Sequence, residues 1–181
     1  MAEIYYAPRR GFSRDCSREF VARVLGEFYG CKNVIFSRSA TGKPRCDAPI
    51  FFSLSHTRDY FFLAVSNEEI GIDAENLSRR GDFSAVISRL PDPERARALA
   101  SPEEFLKIFT KCEAAAKYLG RPVFAVLPKI SVQQCGDSEK VVFGGEPLPA
   151  CIRTFIVAGH AVSVCAAENE NIEKIQYLEG E

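Results

Sequence analysis

No apolar run in this 181-residue chain approaches the length that crosses a bilayer, and the opening Met1-Ala-Glu-Ile-Tyr-Tyr lacks a basic segment followed by an apolar one. Neither export nor anchoring is expected from these features, and a cytoplasmic location is. An excess of charge is missing too. The net charge of −1 gives no reason to expect bulk binding to nucleic acid or to an anionic membrane. Nor is there a C-x-x-C pair. The seven cysteines, at positions 16, 31, 46, 112, 135, 151 and 165, are odd in number, which argues against a disulfide framework and a zinc ribbon. Several lie in apolar patterns, as in Ala161-Val-Ser-Val-Cys-Ala-Ala, and read as small buried thiols in a reducing compartment. No nucleophile-elbow glycines flank Ser55, so a Ser-His-Asp hydrolase built on that serine is not supported.

With 46% hydrophobic and 26% charged residues, the chain is an ordered globular protein, long enough for one large domain or two small halves. Ile4-Tyr-Tyr-Ala7 reads as a first strand. Phe20, Val21, Val24, Leu25 and Phe28 fall at helical spacing, with Gly30 as a stop. Val34-Ile-Phe36 is a short strand and Thr41-Gly42-Lys43-Pro44-Arg45 a turn, before apolar strands over 50–56 and 60–65. The polar stretch from Asn76 to Asp82 marks a seam between halves 1–78 and 79–181. Ser101 caps a helix running to about Leu119, with Pro102 in its first turn and Glu104 completing a capping box. Strands separated by turns at Gly136-Asp137 and Gly144-Gly145 complete the chain. A histidine leading an apolar strand and a polar turn occurs twice, at His56 to Ile70 and at His160 to Ile172, a faint internal echo.

Two segments concentrate the chemistry. In Ile70-Gly71-Ile72-Asp73-Ala74-Glu75 an extended backbone points Asp73 and Glu75 one way, with Gly71 beside them, and Ile70, Ile72 and Ala74 into a core. Two such carboxylates suit a magnesium ion that takes its remaining ligands from water and phosphate, and a glycine there admits a bulky anion. Taken alone, a solvated hairpin strand ending in acids is the simpler reading. In Glu113-Ala-Ala-Ala-Lys117 the two charged residues sit at the edge of the helix's apolar stripe. By themselves they are also an ordinary i,i+4 pair worth a few tenths of a kcal/mol. Taken alone, His56 reads first as a strand-end imidazole with a hydrogen-bond partner, and Lys43 as a residue that decorates a turn.

Together, Gly42-Lys43-Pro44, Phe52-Ser-Leu-Ser55-His56, Gly71-Ile-Asp73-Ala-Glu75 and Phe109-Thr-Lys-Cys-Glu113-Ala-Ala-Ala-Lys117, in that order, resemble the 4′-phosphopantetheinyl transferase superfamily, specifically its larger, single-chain, surfactin-synthetase-activating type. The resemblance covers roughly residues 33 to 180. It implies an α+β fold, a pseudo-dimer of two similar halves, each a helix packed on a small antiparallel sheet, and a monomer. It also implies Mg²⁺-dependent transfer of the phosphopantetheine arm of coenzyme A to a serine of an acyl or peptidyl carrier protein, releasing 3′,5′-ADP.

By the same resemblance Asp73, Glu75 and Glu113 bind Mg²⁺, and Glu113 accepts the serine proton, directly or through water. Lys117 stabilises the leaving group or assists proton transfer, Ser55 and His56 contact the 3′-phosphate, and Lys43 and Pro44 border the adenine and its phosphates. Arg9, Arg10 or Arg14 are candidate phosphate partners, and His160 is structural. Where the family usually has Trp and Lys in its helix motif, this chain has Phe109 and Cys112, with Lys111 one place early. A non-catalytic module binding coenzyme A or nucleotide on the same fold, or a metal-dependent phosphohydrolase using the same carboxylates, remain the alternatives.

Overall fold

The computed structural model describes residues 1–9, 16–135 and 138–179. In chain order the elements are β1 (Ala2–Pro8), α1 (Cys16–Tyr29), β2 (Phe36–Arg38), β3 (Pro44–Cys46), β4 (Phe51–His56), β5 (Tyr60–Ser66) and β6 (Gly71–Asn76), then α2 (Ser84–Ile87), α3 (Asp92–Ala98), α4 (Pro102–Tyr118) and α5 (Val123–Val126), and finally β7 (Ile130–Cys135), β8 (Ser138–Phe143), β9 (Glu146–Val157), β10 (His160–Ala167) and β11 (Ile172–Tyr177). The chain is α+β. A four-stranded sheet runs in the order β11-β1-β5-β4, a five-stranded sheet in the order β6-β10-β9-β8-β7, and β2 and β3 form a separate ribbon.

Alternation along β1 and β5 explains why both read as apolar runs. Ile4, Phe62 and Ala64 face the larger sheet and pack on Ile72, Val162 and Val164, while Tyr5, Phe61, Leu63 and Val65 face outward and are covered by Phe20, Val21, Val24 and Leu25 of α1. Strands buried on both faces lose the polar half of their pattern. On the far side of the larger sheet, α4 contributes Phe105, Leu106, Ile108, Cys112 and its alanines to a third core with Ile130, Val141, Ile152 and Cys165. The order of layers is therefore α1, smaller sheet, larger sheet, α4.

Halves of the chain and sheets of the fold do not coincide. β6, from residues before 78, lies at the edge of the larger sheet against β10, and β11, the last strand, lies at the edge of the smaller sheet against β1. The β1–β11 pair is parallel, against the expectation of purely antiparallel sheets. The starts of the two strands are tied together by buried Glu170, which accepts hydrogen bonds from Ser66 Oγ (2.7 Å) and the Met1 amino group (2.8 Å). α4 starts as expected, with Ser101 Oγ accepting from the Glu104 amide at 3.1 Å. The Glu104 carboxylate itself turns to Lys107 at 3.0 Å. Gly120, at φ 63°, ends the helix. The expected turn at Gly136-Asp137 lies outside the described residues.

Candidate active site

The two sheets meet at a corner where β4, the edge of one, runs beside β6, the edge of the other. An edge strand leaves alternate backbone groups without a ladder partner. Here side chains supply the partners. Ser53 Oγ accepts from the Ile72 amide (3.1 Å) and Ser55 Oγ from the Ala74 amide (3.2 Å). Lys43 Nζ donates to the Ile70 carbonyl (2.8 Å) and Lys117 Nζ to the Ile72 carbonyl (2.9 Å). Three residues marked by the sequence thus converge with Ser53 on the free edge of the strand that carries Asp73 and Glu75.

On β6 the inward and outward sets are as expected, with Ile70, Ile72 and Ala74 in the core between the sheets. The role of Gly71 is corrected. A Cβ there would lie 2.0 Å from the Ala114 carbonyl oxygen and 2.5 Å from the Tyr118 amide nitrogen. The missing side chain lets the backbone of α4, rather than an anion, come down on the strand. That approach brings Glu113 and Lys117 over Asp73.

Asp73 is buried, 3% exposed. Its Oδ1 accepts from Ser55 Oγ and from Lys117 Nζ, each at 2.8 Å. Its Oδ2 is buried and has no hydrogen-bond partner among the described residues. Beside it, Glu113 is pushed up to about 8, first by burial and then by the negative charge of Asp73, against the pull of Lys117. Two negative charges repel here, and burial together with that repulsion favours the protonated form of Glu113. Glu75, further along the strand, accepts from Arg79 at 2.5 Å. Among the described residues no three acidic, histidine or cysteine side chains close into a ready metal cage; Lys117 pairs with Asp73 and Arg79 with Glu75.

The remaining predicted residues surround this corner. Lys43 is deeply set, its Nζ 2.7 Å from Glu69, which Arg45 also engages. Burial lowers its pKa, against the pull of Glu69. With Pro44, Ser53, Leu54, Lys117 and Arg121 it lines a cleft of ≈ 250 Å³. A second cleft of ≈ 520 Å³ shares Pro44, Phe52 and Leu54 and adds Arg18 and Arg38.

At the C-terminal end of β6, exposed His56 shares a depression of ≈ 670 Å³ with Arg9, Arg58, Glu75 and Arg79. Burial first, then the Arg9 charge, holds His56 below its usual range and therefore neutral at pH 7. Ser55 does not reach this depression. It is 7% exposed and its hydroxyl is committed to Asp73 and Ala74, so it positions the carboxylate. Arg10 and Arg14 lie outside the described residues.

His160 is structural, 1% exposed, with Nδ1 2.7 Å from the Ala158 carbonyl oxygen and Nε2 3.1 Å from Thr57 Oγ1. Lys111 points away from the corner, onto Glu139 of β8 at 2.6 Å, and buried Cys112, pushed up to about 12 by desolvation, is an unreactive core thiol. Residues the sequence reading did not mark are Glu69, which anchors Lys43 and Arg45, and Arg79. The i+4 offset of Arg79 from Glu75 was visible, but only the turn after β6 reveals that it folds back.

Comparison with known proteins adds one local similarity. Over 47 residues the chain is 38% identical to the 4′-phosphopantetheinyl transferase gsp of Aneurinibacillus migulanus, a stretch that is 26% of this chain and 20% of that protein. The match thus spans about a fifth of the relative's length. No family model matches the chain.

Proposed function

We propose that the protein is a phosphopantetheinyl transferase that moves the 4′-phosphopantetheine arm of coenzyme A onto a serine of an acyl or peptidyl carrier protein and releases 3′,5′-ADP. The observation that supports this most is the corner itself, a buried Asp73 with one unpartnered oxygen, facing Glu113 and Lys117. The local likeness to a transferase of that name agrees with it. We also take the two helix-covered sheets to be similar halves of a pseudo-dimer, with the substrate in the cleft where their β4 and β6 edges meet.

The donor set fits a hard cation. Asp73 Oδ2 is a buried oxygen wanting a partner, and carboxylates are the ligands magnesium takes alongside water and phosphate. Asp73, Glu75 and Glu113 would hold Mg²⁺, which would neutralise charge on the pyrophosphate. Lys117 is anchored on Asp73, the Ile72 carbonyl and, at 3.4 Å, the Leu54 carbonyl, and its positive charge would offset the charge of the leaving 3′,5′-ADP beside it. Glu113, as carboxylate, takes the proton of the attacking serine, and its high proton affinity suits that role. His56 with Arg9 receives the 3′-phosphate, and Lys43 with Pro44 lines the cleft for the adenine.

Incubating apo carrier proteins of fatty-acid, polyketide and peptide synthases with coenzyme A and Mg²⁺ tests the reading by intact mass. One added phosphopantetheine on a carrier is expected. No gain on any of them would refute it. Phosphate released without a carrier would point to a phosphohydrolase, and coenzyme A binding without turnover, insensitive to Glu113→Gln, to a binding module.

A further inference from the structure

Arg79 occupies an unusual position between the carboxylate corner and the ≈ 670 Å³ depression that its side chain helps to line. The turn after β6 is built to present it. Ser78 donates through its amide (2.8 Å) and hydroxyl (2.6 Å) to Asn76 Oδ1, and the Arg79 amide donates to the Asn76 carbonyl (2.9 Å). The guanidinium then returns to Glu75, 2.5 Å away, and lies over the Phe83 ring at 5.4 Å. Glu75 is mostly covered, at 17% exposure, while Arg79 is half exposed at 49%. The acid is largely covered, and the cation reaches it from the solvent side.

Resting on the function proposed above, we infer that Arg79 changes partners. Without a divalent cation it holds Glu75. When a cation takes Glu75, the guanidinium turns into the depression and binds a phosphate of the nucleotide, beside Arg9 and His56. Arg79 would then be the residue that links cation binding to anion binding.

The physical basis is competition for one carboxylate. A unit charge about 4 Å from another costs about 1 kcal/mol in water, which is about fivefold in affinity, so a guanidinium on Glu75 weakens cation binding and a bound cation expels the guanidinium. The expelled group presents planar N–H pairs that match a phosphate bidentately. In the Glu75-paired position the guanidinium also lies over the Phe83 ring. That contact is worth about 0.5–1 kcal/mol at an exposed site, which is about two- to fivefold in affinity that the phosphate must outweigh. Coupling of this kind is reciprocal, and Mg²⁺ and the nucleotide must raise each other's affinity by the same factor.

Titration calorimetry of the full chain tests this with two probes, Mg²⁺ alone and 3′,5′-ADP with Mg²⁺ or with EDTA. Wild type should bind 3′,5′-ADP about tenfold more tightly with Mg²⁺. Arg79→Gln should bind Mg²⁺ alone several-fold more tightly than wild type, bind 3′,5′-ADP less tightly at saturating Mg²⁺, and lose most of the coupling. Arg79→Lys should recover part of it. If wild type binds both ligands and Arg79→Gln leaves all three quantities unchanged, or weakens Mg²⁺ alone, the exchange is wrong and the proposed function stands. If wild type binds neither, both fall.

Discussion

Gly71 and Glu113 make the clearest claims at the scale of single residues. Gly71→Ala would drive a methyl group into the α4 backbone, which cannot rotate away as a side chain would. The overpacking should cost about 2–3 kcal/mol, and thermal melts should show Tm lower by about 4–12 °C. An unchanged Tm would mean that α4 does not rest on β6 there.

Glu113 titrates above its ordinary range because burial and Asp73 disfavour its charge. The folded protein therefore binds a proton that the unfolded chain releases near pH 4.5. Stability should fall as pH rises from there to about 8, by at most about 1.4 kcal/mol per pH unit. Without divalent cations, urea unfolding across that range should show the slope in wild type and lose it in Glu113→Gln.

Ser55 was legible as a residue of interest but not in its role, because a sequence does not say that its hydroxyl faces a neighbouring strand. Ser55→Ala removes partners from Asp73 and the Ala74 amide. It should cost about 1–3 kcal/mol by urea unfolding.

Among the elements, the long ones were readable and the short ones were not. β4, β5, β6 and β10 and helices α1 and α4 carry enough residues for alternation or a helical stripe to stand out, and the Ser101 cap marks the start of α4. α2, α3 and α5, of four to seven residues, complete at most about two turns and show no stripe. β2 begins two residues later than the apolar run 34–36 suggests, since its pairing with β3 rather than its own composition decides its extent. What the motifs could not convey is the corner between two sheet edges. Alternation says which way Asp73 points, but the convergence of Ser53, Ser55, Lys43 and Lys117 on the β6 edge depends on pairings far apart in sequence. At this scale Ser101→Ala should destabilise the protein by about 1 kcal/mol, seen as an earlier urea midpoint with unchanged slope.

At the scale of the whole molecule, the strands exchanged between sheets forbid independent halves. β6 belongs by sequence to residues before the expected seam and by pairing to the larger sheet. β11 belongs to the later residues and pairs with β1. The core between the sheets takes side chains from both. Unfolding in urea should therefore follow one transition, with far-UV circular dichroism and the near-UV signal of the tyrosines coinciding. Fragments 1–78 and 79–181, made separately, should not fold. Two separated transitions would show that each layer stands alone.

The carboxylate corner stands or falls with the rate of phosphopantetheine transfer to a carrier serine, followed by intact mass in wild type and in Asp73→Asn and Glu113→Gln. Asparagine at 73 retains an acceptor for Ser55 and Lys117, so the fold should survive, as a thermal melt of each variant checks. Transfer by wild type and its fall of at least roughly 10²-fold in both folded variants is the result expected. Transfer by wild type that persists undiminished in either folded variant would contradict it.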